Sequence, residues 1–161
     1  MQSSILFVCL GNICRSPTAE GVFRAKLAED KRFNGIDLHI DSAGTGDWHV
    51  GKSPDARAQQ AAKGRGYDLS GLRARQVESR DFKRFDFILA MDNDNLSHLQ
   101  RLGQAQGYSG HVGLFLAFGN TAQREVPDPY YGGEQGFQQV LDLIENASLG
   151  LLDHLHQVLK A

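Results

Sequence analysis

The stretch that most constrains this chain is SILFVCLGNICRSPTAEGVFRAKLAE, residues 4–29. An apolar run from Ile5 to Val8 ends in Cys9, a short loop follows through Leu10, Gly11, Asn12, Ile13 and Cys14, and then come Arg15, Ser16 and Pro17. Serine before proline reads as an N-cap followed by the first helical turn. Strand, tight loop and helix N-terminus therefore follow one another within a few residues. Such a loop turns backbone N–H groups inward, and the helix adds its own unpaired N–H groups and dipole. The geometry is that of an anion cup.

The side chains suit one reaction. Arg15 supplies a planar, permanently charged fork for two phosphate oxygens. Cys9 sits at the floor, where the same positive potential favours its thiolate. Ser16 is close enough to donate a hydroxyl hydrogen bond to the sulfur, and Gly11 and Asn12 tolerate the positive φ that a closed cup needs. A thiolate attacking phosphorus, with fixed donors on the equatorial oxygens, would use all of these groups. Without the arginine, Cys9 would read as a small buried hydrophobe at a strand end. The two cysteines, five residues apart, do not make a CxxC redox pair, and no third cysteine exists to complete a zinc or iron–sulfur site. Neither GxGxxG nor GxxxxGK[ST] occurs.

A chain of 161 residues forms one domain, residues 1–161, that can bury a core without disulfides. The net charge of -2 leaves no basic field for nucleic acid. Arg73, Arg75 and Arg80 form a local cluster that reads as a solvated face. No apolar run approaches membrane-spanning length, and no signal peptide precedes Ile5, so the expected setting is the cytoplasm, where both cysteines stay reduced.

Along the rest of the chain, helical spacing of Ala19, Val22, Phe23 and Leu27 predicts a helix over Thr18 to Asp30. A strand at about 38–42 leads into SAGTGDWHVGKSPD, a glycine-rich loop around Trp48, the sole tryptophan. That ring is either a surface anchor or a pocket wall. A helix is expected from Ser53-Pro54 to about Arg65. FDFILAM, residues 85–91, reads as a central parallel strand covered on both sides. Asp92 or Asn93 then caps a helix through Leu102, with loop from Gly103 to Gly110. Asp92 would lie on the same rim as Cys9, either as a cap alone or as an orienting partner. A final helical stretch runs from Glu134 to about Val158, bent or broken at Gly150. The alternation of apolar runs and helices predicts an open parallel α/β sheet with the ligand at the strands' carboxyl ends. The six histidines are scattered, and neither metal nor cofactor is expected.

Cys-x5-Arg-Ser after a first strand, as CLGNICRSP, together with SAGT, a loop aromatic and DPYYG, resembles the low-molecular-weight protein tyrosine phosphatases. The resemblance implies a three-layer fold with helices on both faces of a four-stranded parallel sheet in the order 2-1-3-4, a last strand at about 112–116, and hydrolysis of phosphotyrosine through a phosphocysteine. It implies Cys9 as nucleophile, Arg15 as phosphate clamp and Asp128 as general acid. Leu10, Gly11, Asn12, Ile13, Cys14, Ser16 and Asp92 would bind phosphate or support the cup, and Trp48, Tyr130 and Tyr131 would line the groove. Read from the residues alone, Asp128 between two prolines is a turn residue and the tyrosines anchor a loop. The family's oxidation behaviour implies a reversible Cys9–Cys14 disulfide, against which stands simple packing of Cys14 beneath the loop. Phosphotyrosine proteins are the implied partners. A bacterial tyrosine kinase is one such partner, though no residue selects it. The family often has His where this chain has Leu72, in a string like HRARQ, a departure at a supporting position.

Two other readings compete. Arsenate reductases share the cup but relay oxidation through further downstream cysteines, which are absent after Cys14. A phosphotyrosine- or oxyanion-binding module would need the cup but neither the thiolate nor Asp128.

Overall fold

The computed structural model describes residues 3–129 and 133–160. Its centre is strand β1, Ser3–Cys9, buried along its whole length. β1 lies between β2, Leu38–Gly44, and β3, Phe87–Ala90, with β4, His111–Leu114, on the far edge of β3. All pairings are parallel and the order is 2-1-3-4, as the resemblance implied.

Side chains alternate across β1 with the period of two that any strand imposes. Ile5, Phe7 and Cys9 enter a large apolar cluster with Val22 and Phe23 of α1, Arg15–Glu29, and with Val140, Leu141 and Ile144 of α5, Gly133–Lys160. α2, Ala56–Lys63, adds Ala62 to the same side. Leu6 and Val8 face the other way, onto Phe82 of the short α3, Asp81–Arg84, and Leu99 of α4, Asn93–Ala105. With both faces covered, β1 from Ile5 onward and the whole of β3 are apolar, which is how their sequences read.

Several boundaries differ from the sequence reading. α1 begins at Arg15 with Cys14 in the cap position, so Ser16 and Pro17 lie inside the first turn. That places the Ser16 hydroxyl against the cup instead of on the helix's own N–H groups. α2 starts at Ala56 because Asp55, not Ser53, accepts from the Arg57 and Ala58 N–H groups. α4 continues through Gly103, which packs on Phe82 and Tyr108. α5 runs unbroken past Gly150. A Cβ at Gly150 would fall 1.7 Å from the Phe118 carbonyl oxygen, so this glycine lets the chain after β4 cross the helix and does not interrupt it.

Candidate active site

Cys9 ends β1 at the carboxyl rim of the sheet, and the chain from there to Arg15 closes into a cup. Asn12 takes φ 57°, the left-handed region that asparagine tolerates better than most residues. This turns the Asn12 N–H onto Cys9 Sγ at 3.3 Å, and Ser16 Oγ approaches the same sulfur at 3.0 Å. Cys9 is 2% exposed. The end of β2 holds the cup from behind: Thr45 N–H donates to Cys9 O and Gly46 N–H to Leu10 O, each at 2.9 Å. A Cβ at Gly44 would stand 2.7 Å from Leu10 O, so only glycine lets the strand come this close.

Arg15 is 5% exposed. Its Nη1 donates to Asp92 Oδ2 at 2.7 Å and to Val126 O at 3.1 Å. Both bonds are made by one nitrogen, Nη1, and the Arg15 side chain lines the cavity described below. Burial alone would lower the Arg15 pKa, but Cys9, Asp92 and Asp128 outweigh it and hold the guanidinium above its ordinary value. Asp92 does both things open to it in the sequence: Oδ2 orients Arg15 and Oδ1 caps α4 through the Asn95 N–H at 2.8 Å.

A cavity of about 120 Å³ opens above Cys9, lined in the cup by Cys9, Leu10, Gly11, Ile13, Cys14 and Arg15. Its walls are Trp48, His49, Asp55, Asp128 and Phe137. Trp48 is 67% exposed, its ring laid across Gly46, and Asp128 is exposed on the loop after Val126. That loop is fixed to β3 by the Val126 N–H bond to Met91 O at 2.8 Å. Tyr130 and Tyr131 lie outside the described residues. Cys14, half-buried, has its thiol pushed well up, first by burial and then by the charges of Cys9, Asp55 and Asp128, so it stays a neutral thiol. Both cysteines are free. The described residues contain no cluster of three or more His, Cys, Asp or Glu side chains that would hold a metal ion.

Four wall and support residues escaped the sequence reading: His49, Asp55, Phe137 and Arg75. Asp55 N–H donates to Ile13 O at 2.7 Å, so the start of α2 buttresses the cup. Its carboxyl sits below the ordinary value, because bonds from Arg57 and the cap N–H groups outweigh burial. Arg75, expected on a solvated face, is held by Asp81, itself fully buried, and by Asp41. Its backbone N–H donates to Asn12 Oδ1 at 3.0 Å. Leu72, three residues earlier, is partly buried against the apolar cluster, so the polar support of this segment comes from Arg75. These residues are distant in sequence from the cup, and no local pattern connects them to it.

A family model for low molecular weight phosphotyrosine protein phosphatase matches residues 4–161. The chain belongs to this family. Among its relatives, a putative low molecular weight protein-tyrosine-phosphatase of Synechocystis is 47% identical over 152 residues, covering 94% of this chain and 95% of the relative. The human low molecular weight phosphotyrosine protein phosphatase is 39% identical over 154 residues, covering 95% and 96%. Among solved structures, a protein tyrosine phosphatase of Entamoeba histolytica with Hepes in its active site superposes with a TM-score of 0.86 at 42% identity, covering 96% and 97% of the two chains. The family carries the fold seen here, and the cup of residues 9–16 occupies the rim where this sheet opens.

Proposed function

We propose that this protein hydrolyses phosphotyrosine in proteins, and small aryl phosphates, through a phosphocysteine at Cys9. The observation that carries the reading is the convergence on one cavity of Cys9 and Arg15, from the cup, and Asp128, from a loop more than a hundred residues later. Cys9 Sγ, with Ser16 Oγ and the Asn12 N–H as its hydrogen-bond partners, attacks phosphorus in line. The P–O bond to the leaving phenolate breaks as the S–P bond forms. Arg15 and the loop N–H groups hold the equatorial oxygens, where charge develops. Asp128, in its acid form, gives the phenolate a proton. Water then attacks the phosphocysteine, Asp128 takes back a proton, and phosphate leaves as the thiolate is restored.

Depth supports the substrate class. A nucleophile on a residue 2% exposed, below a rim carrying Trp48, is reached by a phosphate set out beyond a ring, and less well by one on the single methylene of serine. An aromatic wall also rewards an aryl group. A reducing, cytoplasmic setting fits a mechanism that needs a free thiolate, and an autophosphorylated tyrosine kinase is one partner of the right chemistry. No helix among the described residues is long and apolar enough to cross a membrane.

The test is phosphate release from an aryl phosphate and from matched phosphotyrosine and phosphoserine peptides under reducing conditions. Wild type should turn over the first two, Cys9→Ser none, and Asp128→Asn much more slowly. A Cys9→Ser variant that still releases phosphate at the wild-type rate would remove Cys9 from the chemistry. A wild type that binds the phosphotyrosine peptide tightly without turnover would make the protein a reader of phosphotyrosine.

A further inference from the structure

A second cavity lies beside the first and takes no part in the chemistry above. It has a volume of about 450 Å³ and opens between α2, which contributes Arg57, Gln60 and Ala61, and the start of α5, which contributes Glu134, Phe137 and Gln138. Phe137 lines both cavities. The Arg57 guanidinium lies over the Phe137 ring, 5.2 Å from its centroid. Arg57 also meets Asp55, a wall residue of the first cavity, at 3.4 Å. Asp55, Arg57 and Phe137 therefore form the partition between the two.

The lining restricts what this second cavity takes. Its charged members are one cation, Arg57, and one anion, Glu134, so it presents no net charge to select an acidic or a basic side chain. Gln60 and Gln138 add amides, each with donor and acceptor groups. Gln138 is set before anything binds, because Arg65 Nε and Nη2 donate to its Oε1 at 3.1 and 2.8 Å, and Nη2 also donates to its backbone oxygen at 3.3 Å. A group already held in place loses less freedom on binding. Balanced charge with mixed donors and acceptors matches a polypeptide main chain, whose residues each offer an N–H and a C=O. Reach matches as well. An extended chain advances about 3.3–3.6 Å per residue, so the first few residues beside a phosphotyrosine seated over Cys9 span the partition.

We propose that the cavity between α2 and α5 is a subsite for an uncharged, extended segment of polypeptide next to the phosphotyrosine. The proposal deepens the phosphatase reading and rests on it for the seat of the phosphotyrosine itself. It makes the flanking chain of a protein substrate, and not the aryl phosphate alone, part of what is recognised.

The test uses peptides carrying phosphonomethyl-phenylalanine, a stand-in for phosphotyrosine that is not hydrolysed, so binding is read without turnover. One peptide has three uncharged residues on the N-terminal side only, a second has them on the C-terminal side only, and the capped amino acid is the reference. In calorimetry with wild type, one of the two extended peptides should bind about tenfold more tightly than the reference, the gain expected of one or two new hydrogen bonds. That gain should agree within about twofold between roughly 0.05 and 0.3 M salt, because balanced charge leaves little to screen. Ala61 lines the second cavity and not the first. Ala61→Trp fills the second cavity and should abolish the gain, while kcat/KM for a small aryl phosphate stays within about twofold of wild type.

No gain on either side, or a gain that Ala61→Trp leaves intact, overturns the proposal. A gain lost at the higher salt overturns it too, by assigning the contact to charge. If Ala61→Trp does not fold, or also loses aryl phosphate turnover, Gln60→Ala decides: Gln60 is exposed, and its loss should remove about threefold of the gain. An undiminished gain in that variant overturns the proposal. Failure of the phosphatase reading would show separately, as absent phosphate release from the aryl phosphate by wild type.

Discussion

The floor and the rim of the cavity are built in opposite ways. The floor is eight consecutive residues, 9–16, with Cys9, Asn12, Arg15 and Ser16 all buried; short polar bonds tie Cys9, Asn12 and Ser16 together, and Arg15 is tied to Asp92. The rim comes from distant loops, and its conspicuous members, Trp48 and Asp128, stand in solvent. A buried polar network is costly unless every member is satisfied, so the floor tolerates one arrangement and little else. An exposed ring such as Trp48 carries no such constraint. In the proposed mechanism the fixed donors lie on the floor, and the rim supplies the acid, Asp128, and the aromatic wall, Trp48.

Substitutions on the two sides should separate accordingly. Arg15→Lys keeps the charge but loses the fork that meets both Asp92 and phosphate, and kcat/KM should fall about a thousandfold. A loss under tenfold in steady-state kinetics would show that charge alone suffices. Asp128→Asn should lower kcat about a hundredfold for poor leaving groups and much less for good ones, because only the former need a proton. An equal loss for both would assign Asp128 to binding.

Asn12 separates backbone from side chain within the floor. Asn12→Ala should cost about 2–4 kcal/mol in denaturant unfolding, combining the strain of a left-handed alanine with the loss of buried bonds. Asn12→Gly removes the strain and should recover roughly 1 kcal/mol of it. Equal destabilisation by the two would mean that the bonds alone matter. On the rim, Trp48→Ala should raise KM a few-fold for aryl phosphates and change stability by no more than about 0.5 kcal/mol. A collapse of stability would make Trp48 part of the core after all.

The smallest effect lies away from both regions, on edge strand β4. Partial desolvation, and then the neighbouring His154, hold His111 below the ordinary histidine value of 6.5. The folded state therefore resists protonating it, so its contribution to stability is present above pH 6.5 and is lost as pH falls through the lower folded value. His111→Gln should flatten the acid side of a stability–pH curve and leave aryl phosphate turnover at neutral pH unchanged. An acid slope that survives the substitution would place its origin elsewhere.

The difference between floor and rim also explains what could be read before folding. The cup was legible because strand, loop and helix start are adjacent in sequence and each residue type has a local reason to be there. Trp48, Asp92 and Asp128 were recognisable through motif resemblance, and the cavity brings all but Asp92 to its wall while Asp92 grips Arg15 from behind. His49, Asp55 and Phe137 gave no local sign, because they reach the cavity from a loop, a cap and a helix whose meeting depends on the packing of α2 and α5. Arg75 read as solvated because its partners, Asp41 and Asp81, lie 34 and 6 residues away and only folding brings them around it.

By itself the sequence determined the apolar central strand, its period-two division between two cores, and a contiguous cup with a thiol and a guanidinium in register. These follow from local propensity and from side-chain alternation, which act over a few residues. The tertiary structure alone decided which carboxylates face the cup, which nitrogen of Arg15 Asp92 and Val126 hold, and in which direction the hydrogen bonds behind Cys9 run. Those depend on groups brought together from across the sheet, where burial removes water and leaves each donor only the acceptors that packing provides.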